Sequence, residues 1–508
     1  MNRPFHILAQ ARSIGLLTLT SSLLGLVREL AIAHEFGATK STDSYLVALS
    51  IPTTLYGLLL GSGLNFAVIP RLAHMFSTDP EGSRKTFAQF LSVLALLGAL
   101  VSTLIMLFPA RLIRIFAPGM ASSNSTAELA RILSPLFYLF VCSYSLGSFH
   151  CARNRPSSWA LVGVTQNAIV VMSVLLVSKL LGFRSLILGT VAGALAAFMV
   201  QAALAHWAQF DERWSIPLPG GNAMGILRTL LPFALVLGVG GDSGTSQADM
   251  FLLRFFGSRL GSGSITLLAL GNKLMGLPVV LIGSAIGLAL LPSASIHLGN
   301  DDLSGATDRF VQAFGCALLL ICPIAVFYMT LSSHIVFTVF HNGAITSQQL
   351  VELGKLLQAY AGATVGLTLV YVLSSFLGAL RQTRALIGTA IVTVFLNALL
   401  MRYMAGRSGA VGIATAISIG SGLYCLALLF LLTRRLGLGV LMRLLQSALL
   451  ISAGALVMQY AIRIAQGLDL FVSVPWLGRI LIPAVVALMP YAAWVMWHRK
   501  RIALTVIQ

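Results

Sequence analysis

The chain has 508 residues, of which 57% are hydrophobic and only 9% charged, and its mean hydropathy is +0.90. Soluble domains carry about 25% charged residues, so this composition excludes an ordinary globular protein. Apolar runs of about 20 residues, the length that crosses a bilayer, recur along the chain. They predict an all-α polytopic membrane protein.

The net charge of +18 is typical of the Lys and Arg excess that membrane proteins keep in cytoplasmic loops. The chain offers no basic patch with interleaved aromatic residues, so we expect no nucleic-acid partner. The five cysteines lack the spacing of a metal or disulfide framework, and the short loops carry no catalytic grouping. We therefore expect no metal site, no cofactor and no enzyme activity. We also expect no removable signal peptide at the N-terminus.

Gly, Pro and charged clusters divide the chain into about fourteen predicted spans. The spans cover about residues 12–36, 43–72, 87–112, 127–151, 158–179, 184–208, 226–256, 264–294, 308–332, 348–378, 384–404, 409–433, 440–465 and 473–498. An even number of spans places both termini on one side of the membrane. That side holds 18 of the 33 Lys and Arg residues and the other side 13, so we expect cytoplasmic termini. Arg28 and Lys273 remain inside spans.

The first span carries Arg28 and Glu29 side by side in LLGLVRELAIAHEFG. A charge at the bilayer centre costs on the order of 2.5–3.5 kcal/mol on insertion scales, so such residues usually face a cavity or a partner. Adjacent side chains point about 100° apart on a helix, so we do not expect these two to pair with each other. We favour a role in lining a cavity over purely structural pairing.

An internal repeat connects the second span with the eighth. LLGSGLNFAVIP at 59–70 matches LIGSAIGLALLP at 281–292, and FGATKSTDS at 36–44 parallels FGSRLGSGS at 256–264, with shifts of 222 and 220 residues. Chance coincidence in apolar sequence is the alternative. The repeat predicts an N-terminal lobe at 1–215, a C-terminal lobe at 216–435 and two extra helices at 436–508. Parallel lobes are typical of transporters that work by alternating access.

The seventh and eighth spans hold further candidates. In the seventh, Gly240 and Gly241 predict a hinge, and Asp249 and Arg254 lie either in a cavity or at the outer interface. In the eighth, Asn272 and Lys273 stand in LALGNKLMGLP. A cation in each lobe, Arg28 and Lys273, suggests a cavity that holds an anion between the lobes.

The run LLGLVRELAIAHEFGATKSTDSYLVALSIPTTLY resembles the N-terminal signature of the MurJ/MviN lipid II flippase family. This family belongs to a superfamily that also includes MATE exporters and polysaccharide flippases. The signature residues here are Gly25, Val27, Arg28, Glu29, Phe36, Gly37, Thr42 and Asp43. GNKLMGLPVVLIGSAIGLALLPSAS is similar to the family's eighth helix. The resemblance covers nearly the whole chain and implies fourteen helices, as two lobes plus two.

Several positions depart from that family's pattern. The family pattern has another Arg where this chain has Ser22, and an Asp-Arg pair where it has Asn272 and Lys273. It also has an acid near the position of Gly276 and basic residues at the positions of 55–57. Because these charges are missing, the site is also compatible with a saccharide head group other than that of lipid II. Some members of the family that this chain resembles couple transport to sodium through acids in the seventh and eleventh helices. Asn397 matches one such ligand, but Met401 stands four residues later and argues against a sodium site.

The resemblance implies a bacterial inner-membrane flippase that moves an undecaprenyl-diphosphate-linked saccharide, a lipid II-type peptidoglycan precursor, to the outer leaflet. Arg28 and Lys273 would hold the diphosphate, while Glu29, Asp43 and Asn272 would contact sugar or position those cations. The alternatives are a flippase for an exopolysaccharide or O-antigen precursor, and a multidrug cation exporter. Expected partners are the lipid-linked oligosaccharide, membrane lipid and proteins of cell-wall or polysaccharide synthesis.

Overall fold

A computed structural model describes residues 3–61, 68–153, 155, 157–207, 247–467 and 478–498. Every regular segment within these ranges is helical. The α-helices are α1 (Arg3–Phe36), α2 (Lys40–Tyr56), α3 (Ile69–Thr78), α4 (Pro80–Leu107), α5 (Pro109–Phe116), α6 (Asn124–Leu133), α7 (Pro135–Ala152), α8 (Ser157–Met172), α9 (Ser178–Leu181), α10 (Arg184–Trp207), α11 (Gln247–Gly257), α12 (Ser264–Pro278), α13 (Ala285–Gly299), α14 (Leu303–Phe340), α15 (Ser347–Ala379), α16 (Thr383–Leu436), α17 (Leu438–Gly467) and α18 (Gly478–Trp497).

The predicted all-α membrane fold is confirmed. Within the described ranges, 10 helical segments are long and apolar enough to cross a membrane. The predicted break between the eleventh and twelfth spans falls inside α16, where Ser408 and Gly409 leave the helical conformation. Gly409 has φ +58°, a left-handed conformation that glycine adopts without a steric penalty. The count of fourteen spans stays a prediction, because 208–246 lies outside the described residues.

Side-chain caps fix where several helices begin. Thr39 and Thr42 form a capping box at the start of α2, each side chain bonding the other residue's backbone N–H. Asp79 and Asp302 start α4 and α14, and each carboxylate accepts a hydrogen bond from the glycine N–H three residues later. Such caps satisfy backbone donors that have no partner inside the helix.

Of the three π-helical segments in the described residues, two lie at equivalent places in the repeat, and the third is Ser173–Val177. Gly57–Gly61 follows α2, and Val279–Ser284 follows α12. Their first residues are 222 positions apart, the shift that relates the two apolar motifs. Because π-helical turns are rare and usually short, this shared irregularity supports a duplicated unit over chance similarity.

The first compact unit contains the described residues of 1–239 together with 258–266. Inside it α8 packs against α1 and α10, and α7 packs against α4. Its core contains buried aromatic rings, among them Phe87 and Phe149, whose centroids are 4.8 Å apart. These packed helices hold the polar residues of the first span in place.

The second compact unit contains the described residues of 240–257 and 267–508. Inside it α15 packs between α14 and α16, and Phe310 and Phe376 stack in its core with centroids 4.5 Å apart. The two C-terminal helices also belong here: Arg443 of α17 pairs with Asp308 at 2.7 Å, and the Tyr491 hydroxyl of α18 donates to the Leu319 carbonyl. The domain boundaries proposed at 215 and 435 stay predictions.

Candidate substrate site

Arg28 is held inside the first unit by two partners. Its Nη2 lies 2.6 Å from Oε1 of Glu29, and its Nη1 donates to Oδ1 of Asn167 at 3.0 Å. The Arg28 and Glu29 side chains are 21% and 13% exposed. The expectation that these two neighbours would not pair is therefore wrong. Both side chains are long and flexible enough to meet across the angle between their Cα–Cβ bonds, and pairing removes two separate charges from a poorly solvated region.

Asn167 is a site residue that sequence reasoning missed. It lies on α8, and besides accepting from Arg28 its Nδ2 donates to the Ser21 carbonyl of α1 at 3.3 Å. Gly163, one turn earlier on α8, faces Ser21 so closely that a Cβ would collide with its hydroxyl. This close helix contact places the amide beside the guanidinium. The available signal was an amide inside the apolar run GVTQNAIVVM.

Among the described residues, the Arg28 guanidinium keeps unused donors. An arginine has five N–H donors, and the bonds to Glu29 and Asn167 use two of them. The Nε–H is buried and has no acceptor within the described part of the chain. An unsatisfied buried donor is costly, so natural proteins retain one mainly where function needs it. The arrangement suits recognition of an anion such as a phosphate.

Asp43 lies elsewhere in the first unit and caps a helix. Its carboxylate accepts hydrogen bonds from the N–H of Gly263 at 2.6 Å and from the N–H and hydroxyl of Thr266 at 2.8 and 2.6 Å. Gly263 has φ +87° and no side chain with which to cap α12, so Asp43 supplies the missing cap. The Asp43 side chain is almost fully buried, at 4% exposure for the residue. The predicted contact of Asp43 with sugar stays a prediction.

Asn272 and Lys273 belong to α12 in the second unit. Asn272 is buried, and its Nδ2 lies 3.6 Å from the Met250 sulfur of α11. Lys273 is partly buried and also has polar or electrostatic contacts. Their role in holding a diphosphate together with Arg28 stays a prediction.

Asp249 and Asn397 meet inside the second unit. The Asn397 Nδ2 of α16 donates to Oδ1 of Asp249 of α11 at 2.9 Å, and Asn397 is only 4% exposed. The Asn397 Oδ1 is buried and lacks a hydrogen bond among the described residues. Gly420 lies against this amide with no room for a Cβ. Two candidates proposed for a cavity or coupling role are thus neighbours in space.

The other candidates of the seventh span are less defined. Arg254, five residues after Asp249 on α11, is partly buried. The predicted hinge glycines Gly240 and Gly241 lie outside the described residues. One turn beyond Asn397, the fully buried Met401 supplies a thioether rather than an oxygen ligand. Within the described ranges no group of three or more His, Cys, Asp or Glu side chains is placed to hold a metal ion.

The fold is a polytopic helical membrane fold that is shared with solved MATE proteins. A solved MATE multidrug transporter in its inward-facing conformation superposes with a TM-score of 0.66 at 16% identity, covering 83% of this chain and 98% of that one. A lipid II flippase MurJ in an inward closed conformation gives a TM-score of 0.79 at 21% identity, covering 96% and 99%.

Sequence comparison identifies the family to which the chain belongs. The model described as "Lipid II flippase MurJ" matches residues 32–481, just after Arg28 and Glu29, and the chain belongs to this family. A probable lipid II flippase MurJ of Buchnera aphidicola subsp. Schizaphis graminum is 24% identical over 425 residues, covering 82% of this chain and 81% of the relative. The lipid II flippase MurJ of Burkholderia cenocepacia is 25% identical over 440 residues, with 83% and 82% covered.

Proposed function

We propose that this protein moves lipid II, an undecaprenyl-diphosphate-linked peptidoglycan precursor, from the inner to the outer leaflet of a bacterial inner membrane. Family membership supports this substrate over the alternative of a multidrug cation exporter. In this proposal the protein is a transporter that needs no cofactor. Alternating access of the two repeats is the mechanism that the parallel duplication favours.

The observation that supports the proposal most directly is that the Arg28 guanidinium has N–H donors without an acceptor among the described residues. A cation exporter needs acids that exceed the cations at its site, whereas here Glu29 pairs with a guanidinium that keeps unused N–H donors. Those donors suit a diphosphate, which accepts several charge-assisted hydrogen bonds at once. Asn167 fixes the orientation of the guanidinium without neutralising it. Arg28 is thus the residue to which we assign the diphosphate.

The orientation proposed for the chain follows from its Lys and Arg distribution. Both termini would lie in the cytoplasm, where the loops carry more of the cations. An inside-negative membrane potential is worth about 2.3 kcal/mol per charge per 100 mV, so it could drive either outward transfer of the anion or return of a cationic empty carrier. Proteins of peptidoglycan synthesis are the partners proposed to deliver and receive the substrate.

Genetic complementation tests the proposal. A bacterial host depleted of its own lipid II flippase should survive when it expresses this protein and should not survive with Arg28→Ala. Arg402→Ala is the matched control, because Arg402 is an exposed arginine on α16. It should rescue growth as well as the unmodified protein does, with all three proteins equally abundant in the membrane.

The outcomes separate the candidate substrates. Rescue that Arg28→Ala abolishes and Arg402→Ala preserves would support lipid II as the substrate and Arg28 as the anion ligand. Failure of an abundant, membrane-inserted wild-type protein to rescue would contradict lipid II and favour the exopolysaccharide or O-antigen precursor. Rescue by Arg28→Ala would contradict the role of the guanidinium while leaving the substrate intact.

A further inference from the structure

Three aromatic side chains of the first unit form a cluster that the anion site does not use. Tyr56 ends α2, Tyr144 lies in the middle of α7 and Trp159 is near the start of α8. The rings of Tyr56 and Tyr144 stack with centroids 4.9 Å apart and an interplanar angle of 21°, and Trp159 meets Tyr144 edge-on at 6.2 Å. Gly147 of α7 leaves room for the Trp159 ring. We call these three residues the aromatic platform.

Among the described residues, the polar groups of the aromatic platform have no hydrogen-bond partner. Each of its residues is partly exposed, and within the described part of the chain neither tyrosine hydroxyl nor the Trp159 indole N–H makes a hydrogen bond. Two tyrosines in structural positions behave differently, whereas the hydroxyl of the fully buried Tyr360 also lacks a partner among the described residues. The hydroxyl of Tyr45 bonds Thr190 at 2.8 Å, and that of Tyr328 donates to a backbone carbonyl at 2.9 Å.

The two tyrosine hydroxyls and the indole N–H indicate the polarity of the surroundings of the aromatic platform. In hydrocarbon an unsatisfied polar group costs several kcal/mol, so three of them together are not expected to face lipid tails. A belt of aromatic residues at the membrane surface would explain Trp159, which is close to the end of its helix. It does not explain Tyr144, which lies well inside the apolar helical segment Asn124–Ala152. The rings therefore face water or a polar ligand.

A sugar ring is a ligand that matches both properties. One face of a pyranose presents C–H groups that pack on an aromatic ring, while its hydroxyls bond to polar groups at the ring edge. Tyrosine and tryptophan offer that combination at low cost in side-chain entropy. An aliphatic ligand would leave the hydroxyls and the indole N–H unsatisfied.

We propose that the aromatic platform binds a sugar ring of the lipid-linked saccharide, an inference that rests on the proposed function. Trp159 and Asn167 are eight residues apart on α8, which corresponds to about 12 Å along the helix axis. One helix thus presents the partner of the Arg28 anion site and a member of the aromatic platform. Arg28 recognises the diphosphate, and the aromatic platform recognises what is attached to it.

Binding to two ligands tests this division. The full-length protein in nanodiscs is titrated with lipid II, which carries a saccharide, and with undecaprenyl diphosphate, which carries none. Tyr56→Leu/Tyr144→Leu should weaken lipid II binding about tenfold, equivalent to about 1.4 kcal/mol, and leave binding of undecaprenyl diphosphate unchanged. Arg28→Ala should weaken binding of both ligands.

Phe140→Leu is the matched control for lost packing. The Phe140 ring lies 6.1 Å from that of Tyr56 and 6.5 Å from that of Tyr144, but it is buried. Its replacement should leave the ratio of the two affinities unchanged. Tyr56→Phe/Tyr144→Phe keeps both rings and removes both hydroxyls, so it should weaken lipid II binding about threefold, which is below the effect of losing the rings.

Each result bears on a different claim. Equal weakening of both ligands by the leucine pair, or no weakening of either, would overturn the role of the aromatic platform. If the leucine pair does not fold, the phenylalanine pair decides, and unchanged lipid II affinity there would overturn it. Wild-type protein that binds undecaprenyl diphosphate and lipid II equally would also overturn it. Wild-type protein that binds neither would instead contradict the proposed function on which it rests.

Discussion

An acid stands at equivalent positions of the two repeats, but its hydrogen-bond partners differ. Glu29 and Asp249 are 220 positions apart, the shift that relates FGATKSTDS to FGSRLGSGS. Glu29 pairs with Arg28, which also bonds Asn167 of α8, whereas Asp249 accepts a hydrogen bond from Asn397 of α16. Before Glu29 stands Arg28, which joins the acid to the amide, whereas Ala248 precedes Asp249.

This difference indicates how the duplicated scaffold has specialised. The acid recurs at the shift of 220 residues, whereas Asn167 and Asn397 are 230 positions apart, so the acid belongs to the shared framework and its partners differ between the units. In the second unit the amide bonds the acid directly, with Nδ2 of Asn397 2.9 Å from Asp249. The cation that the sequence places in the second repeat, Lys273, is on a different helix, α12.

The helix starts of the two repeats differ in a complementary way. α2 is capped locally by Thr39, whereas α12 starts after Gly263 and is capped by Asp43 of the other repeat. The shift of 220 residues places Asp43 opposite Gly263 in the repeat, so the acid bonds the backbone of its own counterpart. The first repeat therefore carries a carboxylate, that of Asp43, which caps a helix of the second repeat.

The largest expected effect comes from removing that shared cap. Asp43→Ala would leave two buried N–H groups without their acceptor and remove one of the two acceptors of the Thr266 hydroxyl, and should lower the free energy of unfolding by about 3 kcal/mol. Thr39→Ala removes the local cap of the first repeat and should cost about 1 kcal/mol. Thermal melting in detergent measures both. Equal losses of unfolding free energy for the two variants would contradict a larger contribution from the Asp43 cap.

The second prediction addresses the acid of the first unit. Glu29→Gln removes the charge partner of Arg28, which is only partly exposed, and should cost about 2 kcal/mol of unfolding free energy. Asp249→Asn should cost less, because an amide oxygen can still accept from Asn397. Glu35→Gln is the matched control on the same helix and should cost under about 0.5 kcal/mol, because a glutamine oxygen can still accept from the Ser178 hydroxyl. A loss for Glu35→Gln as large as that for Glu29→Gln would contradict a specific role of the Arg28 pair.

The smallest effect concerns pH and the cap at the start of α14. The Gly305 N–H and the His297 ring beside Asp302 hold the pKa of this carboxyl below its usual value of 3.8. A depressed pKa in the folded state means that the stabilisation is present above the ordinary pKa and is lost as the pH falls through the folded value. The melting-temperature difference between wild type and Asp302→Ala should therefore shrink from pH 7 to pH 3.

Asp302→Asn is the control for that measurement. Asparagine can cap the helix but does not titrate, so its melting temperature should exceed that of Asp302→Ala by the same amount at every pH. If the difference between wild type and Asp302→Ala is constant over this range, the carboxylate does not stabilise the helix start through its charge.

Periodic and local features could be predicted from the sequence. Hydropathy fixed the fold class, and the break at Ser408 and Gly409 fell between two predicted spans because it follows from local residue types. The repeat was visible as matched motifs, and equivalent π segments now support it. In each case the responsible residues are close in sequence or related by one constant shift.

Partners far apart in sequence could not be predicted. Nothing near Asp43 indicates that its acceptor oxygens bond Gly263, and nothing near Tyr144 indicates that Tyr56 and Trp159 lie beside it. The pairing of Arg28 with Glu29 was missed for another reason: helix geometry fixes Cβ directions but not where long side chains end. Asn167 became a candidate only once α8 was seen to pack against α1.

The cap between Asp43 and Gly263 also sets an order of events during synthesis. The two residues are separated by 220 positions, and ribosomes add about 5–20 residues per second. Roughly 10 to 45 s therefore pass between the synthesis of Asp43 and the synthesis of Gly263, whose N–H donates to the Asp43 carboxylate. Until then water or the insertion machinery must solvate Asp43, so the start of the eighth span can close only after half of the protein exists.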